Sequence, residues 1–208
     1  MENGEEHQAR LKHAAYFKDV LSAADDLYQE GGEKVLLGLR LFDLEWENIL
    51  EGQAWVTAER ANDPALLELC AAFPDAGVYV LGLRQHPREW IQWLEAAVSA
   101  ARETGDRRGE GNALGNLGGA YNRLGDARKT AEYQEQALVI ARETGDRRGE
   151  GAALNNLGLA YADLGDARKA IEFYEQALVI KREIGDRRGE GNALGNLGGC
   201  LLSFGRCP

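Results

Sequence analysis

The chain is poor in the residues on which most site chemistry depends. Its three histidines, His7, His13 and His86, have no partners at metal-ligand spacing, so they read as surface residues and no metal is expected. Its three cysteines, Cys70, Cys200 and Cys207, form an odd and scattered set, which excludes a disulfide framework and suggests a reducing compartment, hence a cytoplasmic location. Cys200 replaces the alanine of earlier copies and reads as a small buried hydrophobe, with Cys207 near a frayed end. There is no run of eighteen apolar residues and therefore no expected membrane span. The opening MENGEEHQAR is acidic and polar and does not resemble a signal peptide.

Nucleotide-binding signatures are missing as well. No GxxxxGK[ST] occurs: Gly125-Asp126-Ala127-Arg128-Lys129-Thr130 ends in Lys-Thr but lacks the glycine before the lysine. Gly109-x-Gly111-x-x-x-Gly115 has a dinucleotide-loop look, but it recurs with a repeat, follows a helix and lacks the strand that motif requires. Carboxylates are plentiful on helix faces, with nothing to mark a catalytic pair. No enzyme activity and no cofactor are expected.

Charge is present but uneven. Residues 1–100 carry 8 Lys or Arg against 18 Asp or Glu and residues 101–208 carry 16 of each, so the formal charge of −10 belongs to the first half. An acidic lead-in argues against nucleic acid. The pairs Arg107-Arg108, Arg147-Arg148 and Arg187-Arg188 are flanked by acids such as Asp106 and Glu110. They read as solvated inter-repeat ion pairs in preference to a basic ladder for phosphates or acidic peptides.

What is abundant is repetition. Residues 108–147 are followed almost letter for letter by residues 148–187 and then by a truncated third copy, residues 188–208. Leu114, Leu154 and Leu194 lie forty apart, as do Gly118, Gly158 and Gly198, and a fixed period of this size means a solenoid. Within a copy, Leu114, Leu117, Ala120, Tyr121 and Leu124 recur at three- and four-residue spacing, and Ala131, Gln134, Ala137, Leu138 and Ala141 do so again after Leu-Gly-Asp. Each copy is therefore two antiparallel helices. Gly125 and Gly165 end the first helix and Asp126 and Asp166 cap the second, while Gly105-Asp106 and Gly145-Asp146 do the same between copies.

The second copy, with Leu154, Leu157, Gly158, Tyr161, Ala170, Tyr174 and Ala177, resembles a tetratricopeptide repeat (TPR). The first copy departs from the pattern at Thr130 and Gln134, where the family has alanine and an aromatic, and no copy has the closing proline of the short form. The forty-residue period is similar to the long form of kinesin light chains and spindle-orientation adaptors. The resemblance implies an all-α, right-handed α-solenoid (TPR superhelix) of antiparallel helix pairs, about nine helices in all. Its implied function is a non-enzymatic scaffold whose concave groove takes a protein or peptide partner.

Ahead of the copies, residues 8–30 form an amphipathic stripe through Leu11, Phe17, Leu21 and Leu27, ended by Gly31-Gly32. Residues 33–60 predict a second long helix with a kink at Gly52, so residues 1–63 form a helical lead-in. Asn62-Asp63-Pro64 is a stop and a start, with Asp63 as N-cap and Pro64 first in the helix. Residues 64–107 read as a degenerate TPR-like pair: a helix over 65–84 broken at Pro74, then one over 88–104 with Trp90, Leu94 and Ala97 at packing positions. This order, with Leu44-Glu45-Trp46-Glu47-Asn48 and Trp93-Leu94-Glu95, resembles the TPR sensor region of bacterial STAND-class regulators, which implies the alternative of a regulatory arm.

Two candidate sites follow. Asn112, Asn116, Asn155, Asn156, Asn192 and Asn196 fall opposite the Leu-Leu-Tyr stripe, on the face that lines the groove in TPR superhelices, with Arg123 at the rim. An amide both donates to and accepts from a peptide backbone, so a periodic row suits a bound strand. The alternative is that near-identical copies merely repeat an asparagine of the parent. The second candidate is an open edge. Repeat arrays need a polar cap, and the third copy carries Leu194, Leu197, Leu201 and Phe204 with no following helix in residues 1–208, so a homodimer through this edge is expected as a further alternative.

Overall fold

The computed structural model describes residues 2–61 and 63–204. Ten helices are found among them, and they form two compact units, residues 1–109 and 110–208.

In the first unit α1 (Glu2–Glu30) and α2 (Lys34–Glu59) pack along their length. Gly38 and Gly52 explain how closely. A Cβ at Gly38 would lie 2.4 Å from the Ala24 carbonyl oxygen, and one at Gly52 would lie 3.2 Å from the Ala14 Cα. Gly52 therefore sits inside one continuous helix, where it admits α1. Asp63 caps α3 (Pro64–Ala76) through the Ala65 and Leu66 amides, with Pro64 first in the helix. Asn62 lies outside the described residues.

The predicted helix over 65–84 breaks three residues later than expected. Pro74 is tolerated inside α3, and the chain turns at Gly77 before α4 (Val78–Arg84), bent by 68° from α3. Gly77 is required because a Cβ there would lie 2.4 Å from Leu21 Cδ1. It offers no side-chain cap, so α1 supplies one: Asp25, only 4% exposed, accepts from the Tyr79 and Val80 amides at 2.9 Å each. Burial pushes the Asp25 carboxyl above its usual range, against those hydrogen bonds. The added helix α4 makes ten where the sequence predicts about nine. α5 (Pro87–Thr104) completes the unit with Trp90, Trp93 and Leu94 buried.

The second unit consists of α6 (Arg107–Arg123), α7 (Ala127–Thr144), α8 (Arg147–Asp163), α9 (Ala167–Glu183) and α10 (Arg187–Phe204). The joints are uniform. Gly125 and Gly165 adopt φ of 75° and 82°, and the amides of Asp126 and Asp166 return to the Tyr121 and Tyr161 carbonyls at 3.0 and 2.9 Å. This is the left-handed close in which the backbone three residues past the helix satisfies its last turn. Each aspartate then caps the next helix, Asp126 accepting from Lys129 N and Asp166 from Lys169 N, both at 3.1 Å.

The two departures of the first copy are both absorbed. Thr130 is buried and its hydroxyl donates to the Asp126 carbonyl at 2.9 Å. Gln134 is 1% exposed, lies over Gly118, and donates from Nε2 to the Gly115 carbonyl at 2.8 Å. A buried amide thus fills the aromatic's place without an unmet donor. In the second copy Tyr174, also 1% exposed, lies over Gly158. Burial pushes its phenol up to about 12, with the nearby Cys200 and Asp163 adding to the shift. An unfolded tyrosine ionises near pH ~10, so between about 10 and 12 only the folded chain keeps this proton and stability falls as pH rises. The expected loss, of order 2 kcal/mol by pH ~12, is to be read from urea unfolding at pH 9 and above, and Tyr174→Phe should flatten that part of the profile.

Among the described residues no single helix is long and apolar enough to cross a membrane; only the bent pair α3–α4 passes by length and composition together.

Candidate functional site

The face carried by α6, α8 and α10 is built by subtraction. Leu114, Leu117, Ala120 and Tyr121 of α6 and Leu154, Leu157 and Ala160 of α8 are buried. The 3.6-residue turn leaves Asn112, Asn116 and Arg123 on another side of α6, with Asn192 and Asn196 in the same places on α10. Asn112, Asn192 and Arg123 are exposed, and Asn116, Asn155, Asn156 and Asn196 are half-buried.

The structure brings two of these asparagines together. Asn196 Nδ2 donates to Asn155 Oδ1 at 3.3 Å, joining α10 to α8 across forty-one positions. Forty residues earlier the place of Asn155 is held by Gly115, so α6 and α8 cannot form the same link. Asn196 also borders an open cavity of ≈ 950 Å³ whose walls include Leu159 and Ala162 of α8 and Gly195 of α10. Small side chains at Ala162 and Gly195 keep it wide. Its lining is mostly apolar, with Tyr174 and Cys200 deeper in, and the Asn196 amide, Asp166 and Arg168 supply its polar groups.

Arg147 and Arg187, the first arginines of their pairs, meet acids while staying exposed. Glu150 is 6% exposed and receives Arg142 Nε at 2.9 Å and Arg147 Nη1 at 2.5 Å, while Arg147 also pairs with Glu183. Arg182 and Arg187 repeat this around Glu190 at 2.7 and 3.2 Å and hold its carboxyl below the usual range. Sequence reasoning missed that Glu150 is buried; the signal available was its place three residues after Arg147 and eight after Arg142. It also missed the contacts of Tyr161, which stacks on Phe173 of its own copy at 5.4 Å and donates to Glu135 of the preceding copy at 3.0 Å.

At the open edge the expected residues separate. Leu194 and Leu201 are 45% and 49% exposed, joined by Leu202 at 69%. Leu197 does not belong to the edge: it packs against Ala170, Tyr174 and Cys200, because its side of α10 faces α9. Cys200 is buried and donates to the Ala167 carbonyl at 3.6 Å. The side chain of Phe204 and residue Cys207 lie outside the described residues. Among the described residues no group of three His, Cys, Asp or Glu could hold a metal ion.

Known proteins share the repeat and its fold. The family described as tetratricopeptide repeat matches residues 109–183 and 149–208. A variant form of the nearly identical TPR-like repeats ascribed to a kinesin light chain of Podosopora anserina shares 20% identity with a TM-score of 0.65, covering 93% of this chain and 89% of that one. A STAND protein with a tetratricopeptide repeat sensor from Pyrococcus horikoshii shares 21% identity with a TM-score of 0.62; the match covers 79% of this chain but only 26% of that one. BtubC (BKLC) from P. vanneervenii shares 17% identity with a TM-score of 0.63, over 95% of this chain and 85% of that one. At these identities the likeness is one of fold, an all-α repeat solenoid. No curated protein sequence matches the chain.

Proposed function

We propose that this chain, whose residues 109–208 match the tetratricopeptide repeat family, is a non-enzymatic interaction scaffold. Its ligand is an extended peptide or partner helix lying along the asparagine-bearing face of α6, α8 and α10. The observation that carries this reading is Asn196, which borders the ≈ 950 Å³ cavity and is already oriented by Asn155. A side-chain amide held at the wall of an apolar cleft fixes the register of a backbone whose side chains fill the rest. Asn156 and Asn116 repeat the amide one copy and two copies earlier.

The experiment is a comparative capture with wild type and the combined Asn116→Ala, Asn156→Ala, Asn196→Ala variant, followed by titration of the partner retained. A lost side-chain hydrogen bond is worth about 0.5–1.5 kcal/mol, so the triple variant should bind at least about tenfold more weakly. Its Tm should stay close to wild type, because the three side chains are only half-buried. Equal affinity would make the asparagines a residue of duplication.

A second reading, the sensor arm of a STAND-type ATPase, rests on the 79% coverage of this chain by the Pyrococcus horikoshii fold. A nucleotide-binding domain encoded next to this sequence would favour it.

A further inference from the structure

Residues 185–199 repeat residues 105–119 letter for letter, yet the two stretches are used differently. On α6, glycines make a trough for α7. A Cβ at Gly118 would lie 2.5 Å from Gln134 Nε2, one at Gly115 would lie 3.9 Å from the Ala137 Cβ, and one at Gly111 would lie 2.8 Å from Ile140 Cγ2. On α8 the matching trough holds α9, with Tyr174 over Gly158 and Ile180 over Gly151. On α10 a Cβ at Gly191, Gly195 or Gly198 would meet no described atom within 4 Å.

The geometry points to α10 as a docking seat for a partner helix, antiparallel to it, that carries Gln or Tyr, then Ala, Ile and Glu at successive three-residue steps. The first three positions follow from the identical trough: Gln134-x-x-Ala137-x-x-Ile140 in α7, Tyr174-x-x-Ala177-x-x-Ile180 in α9. The fourth follows from charge. Glu183 of α9 pairs with Arg147 at the start of α8, whose side chain is 43% exposed. Arg187, its counterpart on α10, is 89% exposed and pairs with Glu190 of its own helix. An acid on the incoming helix meets that guanidinium as Glu183 meets Arg147. The flank is apolar, formed by Leu194 and Leu201; forty residues earlier Leu154 is 1% exposed within a cluster that includes Ala177 and Ile180 of α9. The two helices of this chain that carry the pattern, α7 and α9, are themselves seated, with Gln134 and Tyr174 buried, so the occupant comes from outside residues 1–208.

The test uses the full chain and a fluorescent peptide with the sequence of residues 126–146, held helical by a lactam between side chains introduced at its positions 132 and 136, since a free peptide of this length is only marginally helical. Saturable anisotropy is expected. Gly198→Ala should weaken binding at least about tenfold, because the same Cβ on α6 would collide with the seated side chain. Its own Tm should hold or rise, alanine being the better helix former. Arg187→Glu should also weaken binding, and a peptide with arginine in place of Glu143 should restore it. The triple asparagine variant should bind this peptide as wild type does, which separates this seat from the groove reading. No saturable binding, or equal binding by wild type and Gly198→Ala, overturns the inference. So does a wild-type chain that dimerises without peptide while Gly198→Ala stays monomeric, since the occupant is then a second copy.

Discussion

Leu154→Ala is expected to lower stability by about 2–5 kcal/mol, while Leu194→Ala, the same residue in the next copy, should cost less than about 1 kcal/mol. Leu154 is 1% exposed and lies in a cluster with Leu138, Ala153, Leu157 and Ile180, drawn from α7, α8 and α9. Removing its isobutyl group leaves a void walled on three sides by helices. Leu194 is 45% exposed, so truncation there removes surface that water already touches. Urea unfolding of the two variants under one protocol checks the contrast, and equal losses would mean that the α10 leucine is covered in solution.

Gly158→Val should cost about 3 kcal/mol or more, at the upper end of overpacking effects. A Cβ at Gly158 lies 2.5 Å from Cε1 and 2.6 Å from Cδ1 of Tyr174, so the ring, 1% exposed, must leave its place to admit a side chain. Valine adds two methyl groups beyond that Cβ. The expected result is a lower urea midpoint with loss of tyrosine order in near-ultraviolet circular dichroism. Combining it with Tyr174→Ala should give a smaller loss than the two single losses added, because both changes act on one space. An additive result would place the strain elsewhere.

The helix pairs and their joints were legible because what makes them is local. A glycine that must take positive φ and an aspartate that caps three residues on are set by neighbours in the chain, so Gly125-Asp126 and Gly165-Asp166 could be read directly. The break at Gly77 could not. Pro74 was the visible signal, but the turn falls where Leu21, fifty-six residues away, fills the space a side chain would need, and Asp25 of α1 replaces the missing cap. Gly52 is a related case, since glycine inside a helix can mean a bend or a close neighbour, and only packing reveals that α1 lies against it. In the candidate site the asparagines were found by period, whereas the Asn155–Asn196 bond was hidden. It depends on how far α8 and α10 stand apart, and Gly115 in the matching place shows that the period does not carry it. Leu197 was assigned to the open edge on spacing alone, and the direction in which α9 lies removes it.

The identity of the troughs on α6 and α10 has a consequence for how the chain folds. Among the described residues there are three sockets of nearly one shape, on α6, α8 and α10, and two plugs, α7 and α9, to fill them. A plug on a short tether reaches its own socket at an effective concentration far above that of any neighbour, so the first two sockets are filled from within. Neither α7 nor α9 is left over for the third. During refolding at high protein concentration it is the place where a plug that has not yet closed on its own chain is caught by another, and each chain so caught leaves its own socket open for the next. Such head-to-tail exchange extends as an open array unless its rotation closes a ring, so the feature that gives this array a free seat also sets the direction in which it grows when folding goes astray.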